Sequence, residues 1–147
     1  MKKLFTKICI GSDHAGYDLK EKIKDCLINK SLSVIDLGPF SKDSVDYPDY
    51  AKKVAKRLIL RKSDAGILVC GSGTGMAITA NRFKGIRAAQ CYNKISTILS
   101  RQHNNSNIIC LGSRLLKYKD AFKYVTYFLN TEFEGGRHQK RVSKINI

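Results

Sequence analysis

Several features are scarce in this chain, and the first is any long hydrophobic run. Among its 147 residues, no stretch approaches the roughly 18 consecutive apolar residues that a membrane span needs, so no membrane-spanning helix is expected. The start, Met1–Phe5, resembles the front of a signal peptide, but Lys7 and Gly11 interrupt the next segment too early for an apolar signal core. We therefore expect residues 6–11 to form the first strand of the fold.

Paired cysteines are also missing. The five cysteines are an odd number, and none falls in a Cys-x-x-Cys pair or in a Cys/His spacing typical of zinc sites. The sequence therefore predicts neither a disulfide framework nor a structural zinc site, and reduced thiols favour a cytoplasmic location. Four cysteines lie in apolar runs or on a helix face and are interpreted as small buried residues: Cys9, Cys26, Cys91 and Cys110.

Acidic residues are scarce relative to basic ones. The chain has 12 Asp and Glu residues and 27 Lys and Arg residues, which gives a formal charge of +15. Such a charge would suit nucleic acid or a membrane surface. The basic residues, however, form no dense tract, and neither an RNA-binding aromatic signature nor basic-region heptads occur. We interpret them as solvated helix faces that help to attract a phosphorylated substrate, and keep nucleic-acid binding as a remote alternative.

What the chain does contain is a regular alternation of strand-like and helix-like segments. Short apolar segments predict strands at residues 6–11, 33–38, 65–70, 86–91 and 107–112. Apolar residues at helical spacing predict helices at residues 15–31, 49–62, 74–83, 94–102 and 118–130. This alternation is typical of a three-layer α/β/α, Rossmann-like sandwich around a five-stranded parallel sheet. We expect residues 1–147 to form a single domain whose polar tail, 131–147, stays outside the core and contributes to the site or to a dimer.

A glycine-rich loop follows the third predicted strand. The apolar run of residues 65–69 leads directly into Cys70, Gly71, Ser72, Gly73, Thr74 and Gly75. Bare backbone N–H groups at the start of a helix attract anions and stabilise a thiolate, and a base beside such groups is what enolisation of a sugar requires. The loop matches neither the dinucleotide-binding fingerprint nor a phosphate-binding P-loop, because its spacing differs and no Gly-Lys-Ser/Thr follows. The alternative is that Cys70 serves packing alone.

Two further polar clusters follow predicted strands one and five. Asp13-His14 and Ser113-Arg114 lie at the sheet edge where parallel α/β folds bind ligands. An Asp–His pair at this place favours a site, although Asp13 could instead cap the helix that begins near Ala15. An arginine there presents a planar fork suited to phosphate oxygens.

The segment Arg101–Asn105 enters the fifth strand, at the opposite edge of the sheet. It contains His103 and Asn104, and its position suits the site of a neighbouring subunit. Because imidazole titrates near neutrality, it can move protons during sugar ring opening; polar residues at a helix end are the alternative.

Two arginines in the tail, Arg137 and Arg141, are four residues apart and therefore share one face of a helical turn. They follow Gly135 and Gly136, which predict a defined turn. This turn favours phosphate binding by the arginines over the alternative interpretation, a solvated basic tail. His138, beside them, is interpreted as incidental.

Assembled, these motifs resemble those of the ribose-5-phosphate isomerase B family, which also includes allose-6-phosphate and galactose-6-phosphate isomerases. The resemblance covers roughly residues 7–143 and is carried by six blocks in order: residues 11–16, 46–48, 66–75, 85–88, 100–104 and 134–142. It implies an aldose–ketose isomerase of the pentose phosphate pathway that interconverts ribose 5-phosphate and ribulose 5-phosphate without metal or cofactor.

The resemblance also implies a role for each candidate residue. Cys70 would be the base that moves a proton between C2 and C1 through a cis-enediolate, and the N–H groups of residues 71–75 would stabilise the enediolate oxygens. Ser72 would handle the oxygen-bound proton, while His103, assisted by Asp13, would open the sugar ring. The remaining contacts, to the sugar and chiefly to the phosphate, would come from Asn104, His14, Arg114, Arg137 and Arg141.

Family members are homodimers or homotetramers whose site is built across the dimer, which agrees with the opposite-edge placement of His103.

Two alternatives to a pentose-phosphate isomerase stay open. One is the same chemistry on a hexose phosphate such as allose 6-phosphate, and the other is a sensor that binds the sugar phosphate without converting it.

Overall fold

The computed structural model describes residues 3–145, and its centre is a single five-stranded sheet. The strands are β1 (Lys7–Ser12), β2 (Ser33–Asp36), β3 (Ala65–Cys70), β4 (Ala88–Gln90) and β5 (Ile108–Gly112). Their order across the sheet is β2-β1-β3-β5-β4, and all four neighbouring pairs run parallel. The predicted five-stranded parallel sheet is therefore confirmed.

Helices cover both faces of this sheet. Within the described residues they are α1 (Tyr17–Asn29), α2 (Tyr47–Ile59), α3 (Thr74–Ala80), α4 (Lys94–Gln102), α5 (Tyr118–Asn130) and α6 (Arg137–Ser143). Because side chains alternate along a strand, β1 sends Ile8 and Ile10 into the core beneath α1 and α5, and Cys9 into the core beneath α2 and α3. The predicted three-layer sandwich is confirmed, and no helix between residues 3 and 145 has the length and apolarity to cross a membrane.

Some element boundaries differ from the predictions. The second helix begins at Tyr47 rather than at residue 49, because Pro48 fits the first turn, where a helix needs no backbone N–H. The third helix ends at Ala80 rather than at residue 83. The second strand ends at Asp36, since Gly38 turns the chain with a φ of 96°.

The C-terminal tail departs most from the prediction. Residues 137–143 form a helix, and both His138 and Val142 are buried rather than outside the core. This helix buries a single apolar side chain, so its hydrophobic periodicity is too weak to predict it. Residues 146 and 147 of the predicted tail lie outside the described residues.

A buried lysine ties α1 to the end of β2. The Nζ of Lys20, which is fully buried, donates to the two carboxylate oxygens of Asp36 at 2.9 and 2.8 Å and to Glu21 at 2.8 Å. Burial alone raises the pKa of Asp36, but the hydrogen bonds from Lys20 and neighbouring donors outweigh it and hold this pKa below its ordinary value. The contribution of Asp36 to stability is therefore complete above the ordinary aspartate pKa and is lost as the pH falls through the lowered one.

We expect Lys20→Ala to lower the free energy of unfolding by about 3 kcal/mol at pH 7, because it strips the main partner from a half-buried carboxylate. Urea unfolding measures this, with Lys52→Ala, an exposed lysine on α2, as the matched control. The difference between Lys20→Ala and the unsubstituted chain should shrink as the pH falls from the ordinary aspartate pKa of about 4 through the lowered pKa of Asp36. A loss no larger than that of the control would contradict this role for the ion pair.

Candidate active site

The carboxyl ends of β1, β3 and β5 carry three polar loops that meet at one edge of the sheet. The backbone N–H of Asp13 donates to the Val69 carbonyl at 3.1 Å, and the N–H of Ser113 donates to the Cys70 carbonyl at 2.8 Å. Strand order reverses between β1 and β3, which is where open α/β sheets bind their ligands. The structure thus brings together the residues after these three strands, as the sequence predicts.

Cys70 is the last residue of β3 and is only 4% exposed. Its Sγ accepts a hydrogen bond from the backbone N–H of Gly73 at 3.1 Å. A donor aimed at sulfur stabilises negative charge there. The turn that aims this N–H has a φ of 82° at Gly73, and a Cβ at this residue would lie 3.0 Å from the Leu111 backbone. The loop is therefore shaped to place a donor on the thiol.

Side chains from two other elements cover the glycine loop. The guanidinium group of Arg114 packs against Gly71, and the ring of Tyr47, the first residue of α2, packs against Gly75. Arg114 is thus close to Cys70, as predicted. Tyr47 is not among the predicted site residues, although the block of residues 46–48 carries part of the family resemblance.

Gln90, which no sequence pattern singles out, supports the loop from β4. Its side-chain amide nitrogen donates to the carbonyl of Ser72 at 2.9 Å and to the Oγ1 of Thr74 at 2.6 Å. The Oγ of Ser72 in turn accepts a hydrogen bond from the N–H of Thr74 at 3.2 Å. Gln90 therefore fixes the conformation of the loop without itself reaching the thiol. A glutamine at a strand end carries no local signal for such a contact.

We expect Gln90→Met, which keeps the side-chain length but removes both donated hydrogen bonds, to lower kcat about tenfold while KM changes less than twofold. Two hydrogen bonds of about 1 kcal/mol each hold the loop, and a loss of roughly 1.4 kcal/mol in transition-state stabilisation is tenfold in rate. Steady-state isomerisation kinetics measure this. Gln139→Met, on the exposed surface of α6, is the control, and equal kinetics for the two variants would disprove a supporting role.

Asp13 and His14 follow β1 at the same edge. The Oδ1 of Asp13, a residue only 7% exposed, accepts a hydrogen bond from the N–H of Gly16 at 2.9 Å, directly before α1. This hydrogen bond holds the turn before α1, but the helix begins after Gly16 and has no side-chain cap, so Asp13 is not the predicted capping residue. His14 is exposed, and its Nδ1 lies 3.2 Å from the backbone N–H of Val45, which anchors the loop before α2.

A second cluster lies at the end of α4. His103 follows this helix, and its imidazole stacks on that of His138 with ring centroids 4.1 Å apart and an angle of 13° between the planes. These two histidines line one pocket together with Asn104 and Arg141. Arg137 is exposed beside them, with its Nε 3.5 Å from the Nε2 of His138.

Two side chains of this region are buried. His138 is not incidental: it is 6% exposed, burial lowers its pKa below the ordinary histidine value, and its positive neighbours lower it further. Arg101 lies in the last turn of α4, within the predicted helix. It is buried and donates to the carbonyls of Thr131 and Ser106, so its role is structural.

The two clusters lie at opposite ends of the sheet. Cys70 ends β3, whereas His103 precedes the start of β5, which runs parallel to β3 for five residues, or about 17 Å. One chain therefore does not bring His103, Asn104, Arg137 and Arg141 to the thiol. It places only the residues after β1, β3 and β5 there.

The parallel α/β fold is the one found in solved ribose 5-phosphate isomerases. The chain belongs to the Ribose/Galactose Isomerase family, whose model matches residues 8–145. It is 45% identical to ribose-5-phosphate isomerase B of Escherichia coli, over 95% of this chain and 93% of that protein. A crystal structure of a ribose 5-phosphate isomerase from Thermotoga maritima superposes with a TM-score of 0.94 at 51% identity, over 96% of this chain and 97% of the other.

A further solved structure includes a sugar phosphate. Ribose-5-phosphate isomerase B from Mycoplasma genitalium with bound ribulose-5-phosphate is 45% identical to this chain, with a TM-score of 0.90 over 95% of this chain and 93% of the other. The relatives and this chain thus correspond along almost their whole lengths.

Proposed function

We propose that this chain is an aldose–ketose isomerase that interconverts ribose 5-phosphate and ribulose 5-phosphate through a cis-enediolate. The observation that carries the proposal is the position of Cys70, whose sulfur accepts a backbone hydrogen bond in a loop lined by further N–H groups. Membership of a family whose relatives are ribose-5-phosphate isomerases supports the choice of substrate.

The proposed chemistry conserves every proton. The Cys70 thiolate removes the proton from C2 of the open-chain aldose, and the electron pair moves to the carbonyl oxygen to give the enediolate. The backbone N–H groups of Gly71, Ser72 and Gly75 stabilise that oxygen, since those of Gly73 and Thr74 donate to Cys70 and Ser72. Such a contribution is typically worth about 10²–10³ in rate for each donor. The hydroxyl of Ser72 passes the oxygen-bound proton between O2 and O1, and Cys70 returns its own proton to C1. The product is the ketose, and Cys70 is again a thiolate.

The remaining candidates hold the substrate from both sides. We place His14 and Arg114 at the substrate from the same chain, since both lie at the edge that carries Cys70. His103, Asn104, Arg137 and Arg141 lie at the other end of the sheet, so we assign them to the site of a partner subunit in a homodimer or homotetramer. In this shared site, His103 opens the furanose ring with help from Asp13. Arg137 and Arg141 bind the phosphate. Analytical ultracentrifugation tests whether the chain self-associates.

All five cysteines are free thiols in the structure, which supports a reducing compartment and therefore the cytoplasm.

The assay that tests the function follows ribulose 5-phosphate formation from ribose 5-phosphate in a chelating buffer. Comparison with allose 6-phosphate decides between the pentose and the hexose reading. A higher kcat/KM for the hexose would overturn the choice of substrate, and binding of ribose 5-phosphate without turnover would overturn the enzymatic function.

A further inference from the structure

The stacked pair of imidazoles contains one ring that the proposed chemistry does not use. We propose that His138 is a positioning residue for His103: its ring forms a flat, buried support that fixes the orientation of the His103 imidazole for ring opening. The inference rests on the proposed role of His103 and deepens it. It starts from the 4.1 Å separation and the 13° angle between the two rings.

The backbone around the stack is organised to deliver His138 to this place. The N–H of Glu134 donates to the carbonyl of Gln102 at 3.0 Å, which fastens the C-terminal segment to the end of α4. Gly135 and Gly136 then turn the chain with φ values of 66° and 54°, and α6 begins. His138 is therefore brought back over His103 by a turn that residues with side chains rarely adopt.

The same groups do not form a ready metal site, although three of them cluster. Nitrogen atoms of His103 and His138 and a carboxylate oxygen of Glu134 lie within 4.8 Å of one another. Imidazole lone pairs point outward in the plane of each ring, and two nearly parallel rings cannot direct them at one ion. The arginines of α6 add positive charge beside the cluster. The arrangement fits ring stacking better than metal binding.

Burial and the charges around His138 together favour the neutral form of its ring. Burial is the main cause of its lowered pKa; His103 from α4, and Arg137 and Arg141 from α6 itself, lower the pKa further, whereas Glu134, 3.6 Å away, opposes them. A neutral ring can remain stacked while His103 gains and loses a proton. A charged one would repel the protonated form of His103.

Two assays separate ring opening from enolisation. Isomerisation of ribose 5-phosphate requires the furanose to open, whereas ribulose 5-phosphate, whose O5 carries the phosphate, is always an open chain. Exchange of deuterium from solvent into C1 of ribulose 5-phosphate therefore reports the Cys70 step alone. We expect His138→Ala to lower kcat for ribose 5-phosphate about tenfold and to change the exchange rate less than twofold. We expect His138→Phe, which keeps a flat ring, to restore at least half of the isomerisation rate.

The other possible results of these two assays would contradict the proposal. Equal loss in both assays, or failure of His138→Phe to restore isomerisation in a variant that melts like the unsubstituted chain, would overturn the stacking role. So would an unchanged kcat in His138→Ala. His103→Asn separates this inference from the proposed function: if it isomerises ribose 5-phosphate at the normal rate, the assignment of ring opening to His103 is wrong, whatever the His138 variants do.

Discussion

Replacement of Cys70 by alanine is expected to reduce kcat for ribose 5-phosphate isomerisation by about 10³–10⁴ and to leave KM within about threefold. The loss reflects the removal of the only base proposed to act on carbon, since general acid–base catalysis contributes up to about 10⁴ in rate. The substrate contacts from Arg114 and the loop N–H groups stay in place, so binding is retained. Steady-state kinetics with ribose 5-phosphate measure both constants.

The other thiols cannot replace Cys70. Burial raises the pKa of Cys9 to about 11 and raises that of Cys110 well above its ordinary value, so neither is a thiolate at neutral pH. Cys26→Ala, on the half-buried face of α1, is the matched control and should keep full activity. Cys70→Ser should be nearly as inactive as Cys70→Ala, because a hydroxyl is a far weaker acid than a thiol. A Cys70→Ala enzyme that kept more than about a tenth of the rate would show that the base lies elsewhere.

A mixture of two inactive variants is expected to regain activity. If Cys70 acts in the site of its own chain and His103 in that of the partner, a dimer of one Cys70→Ala chain and one His103→Asn chain has one intact site and one doubly defective site. Random reassociation of equal amounts makes half of all dimers mixed, so the mixture should reach about a quarter of the normal rate. Relative to the residual rate of the Cys70→Ala parent, this is a gain of more than about a hundredfold.

The design includes its own control. Cys70→Ala mixed with Cys70→Ser should gain nothing, because every site in every dimer then lacks the thiol. Co-expression of the chains with two different tags allows the mixed dimer to be purified, and this purified dimer should reach about half of the normal rate, since one of its two sites is intact. If the mixed dimer of Cys70→Ala and His103→Asn were no more active than its parents, Cys70 and His103 would have to serve sites within one chain, and the shared site would be wrong.

Where local pattern determines structure, the sequence predicts it well. The strand ending at Cys70 is a continuous apolar run, and its predicted bounds of residues 65–70 agree with β3. The alternation of strands and helices sufficed to place the loops after strands one, three and five at one edge, since the ends of parallel strands coincide. The placement of His103 at the other edge follows from the same rule.

Where structure depends on contacts distant in sequence, the pattern does not predict it. The support that Gln90 gives to Ser72 joins β4 to the loop after β3, and no local feature marks it. The burial of His138 depends on a stack with a residue 35 positions earlier and on a turn at Gly135 and Gly136. The helix that carries His138 buries a single apolar side chain, so neither its existence nor its face could be predicted from periodicity.

The separation of the two polar clusters to opposite ends of the sheet has a consequence for how much active enzyme a given amount of protein supplies. In the proposed assembly, a folded chain on its own has two half-sites and no complete one. Below the dissociation constant of the dimer, the number of complete sites rises with the square of the chain concentration rather than in proportion to it. Catalytic capacity then depends on how much of the chain is present as well as on how well each chain folds.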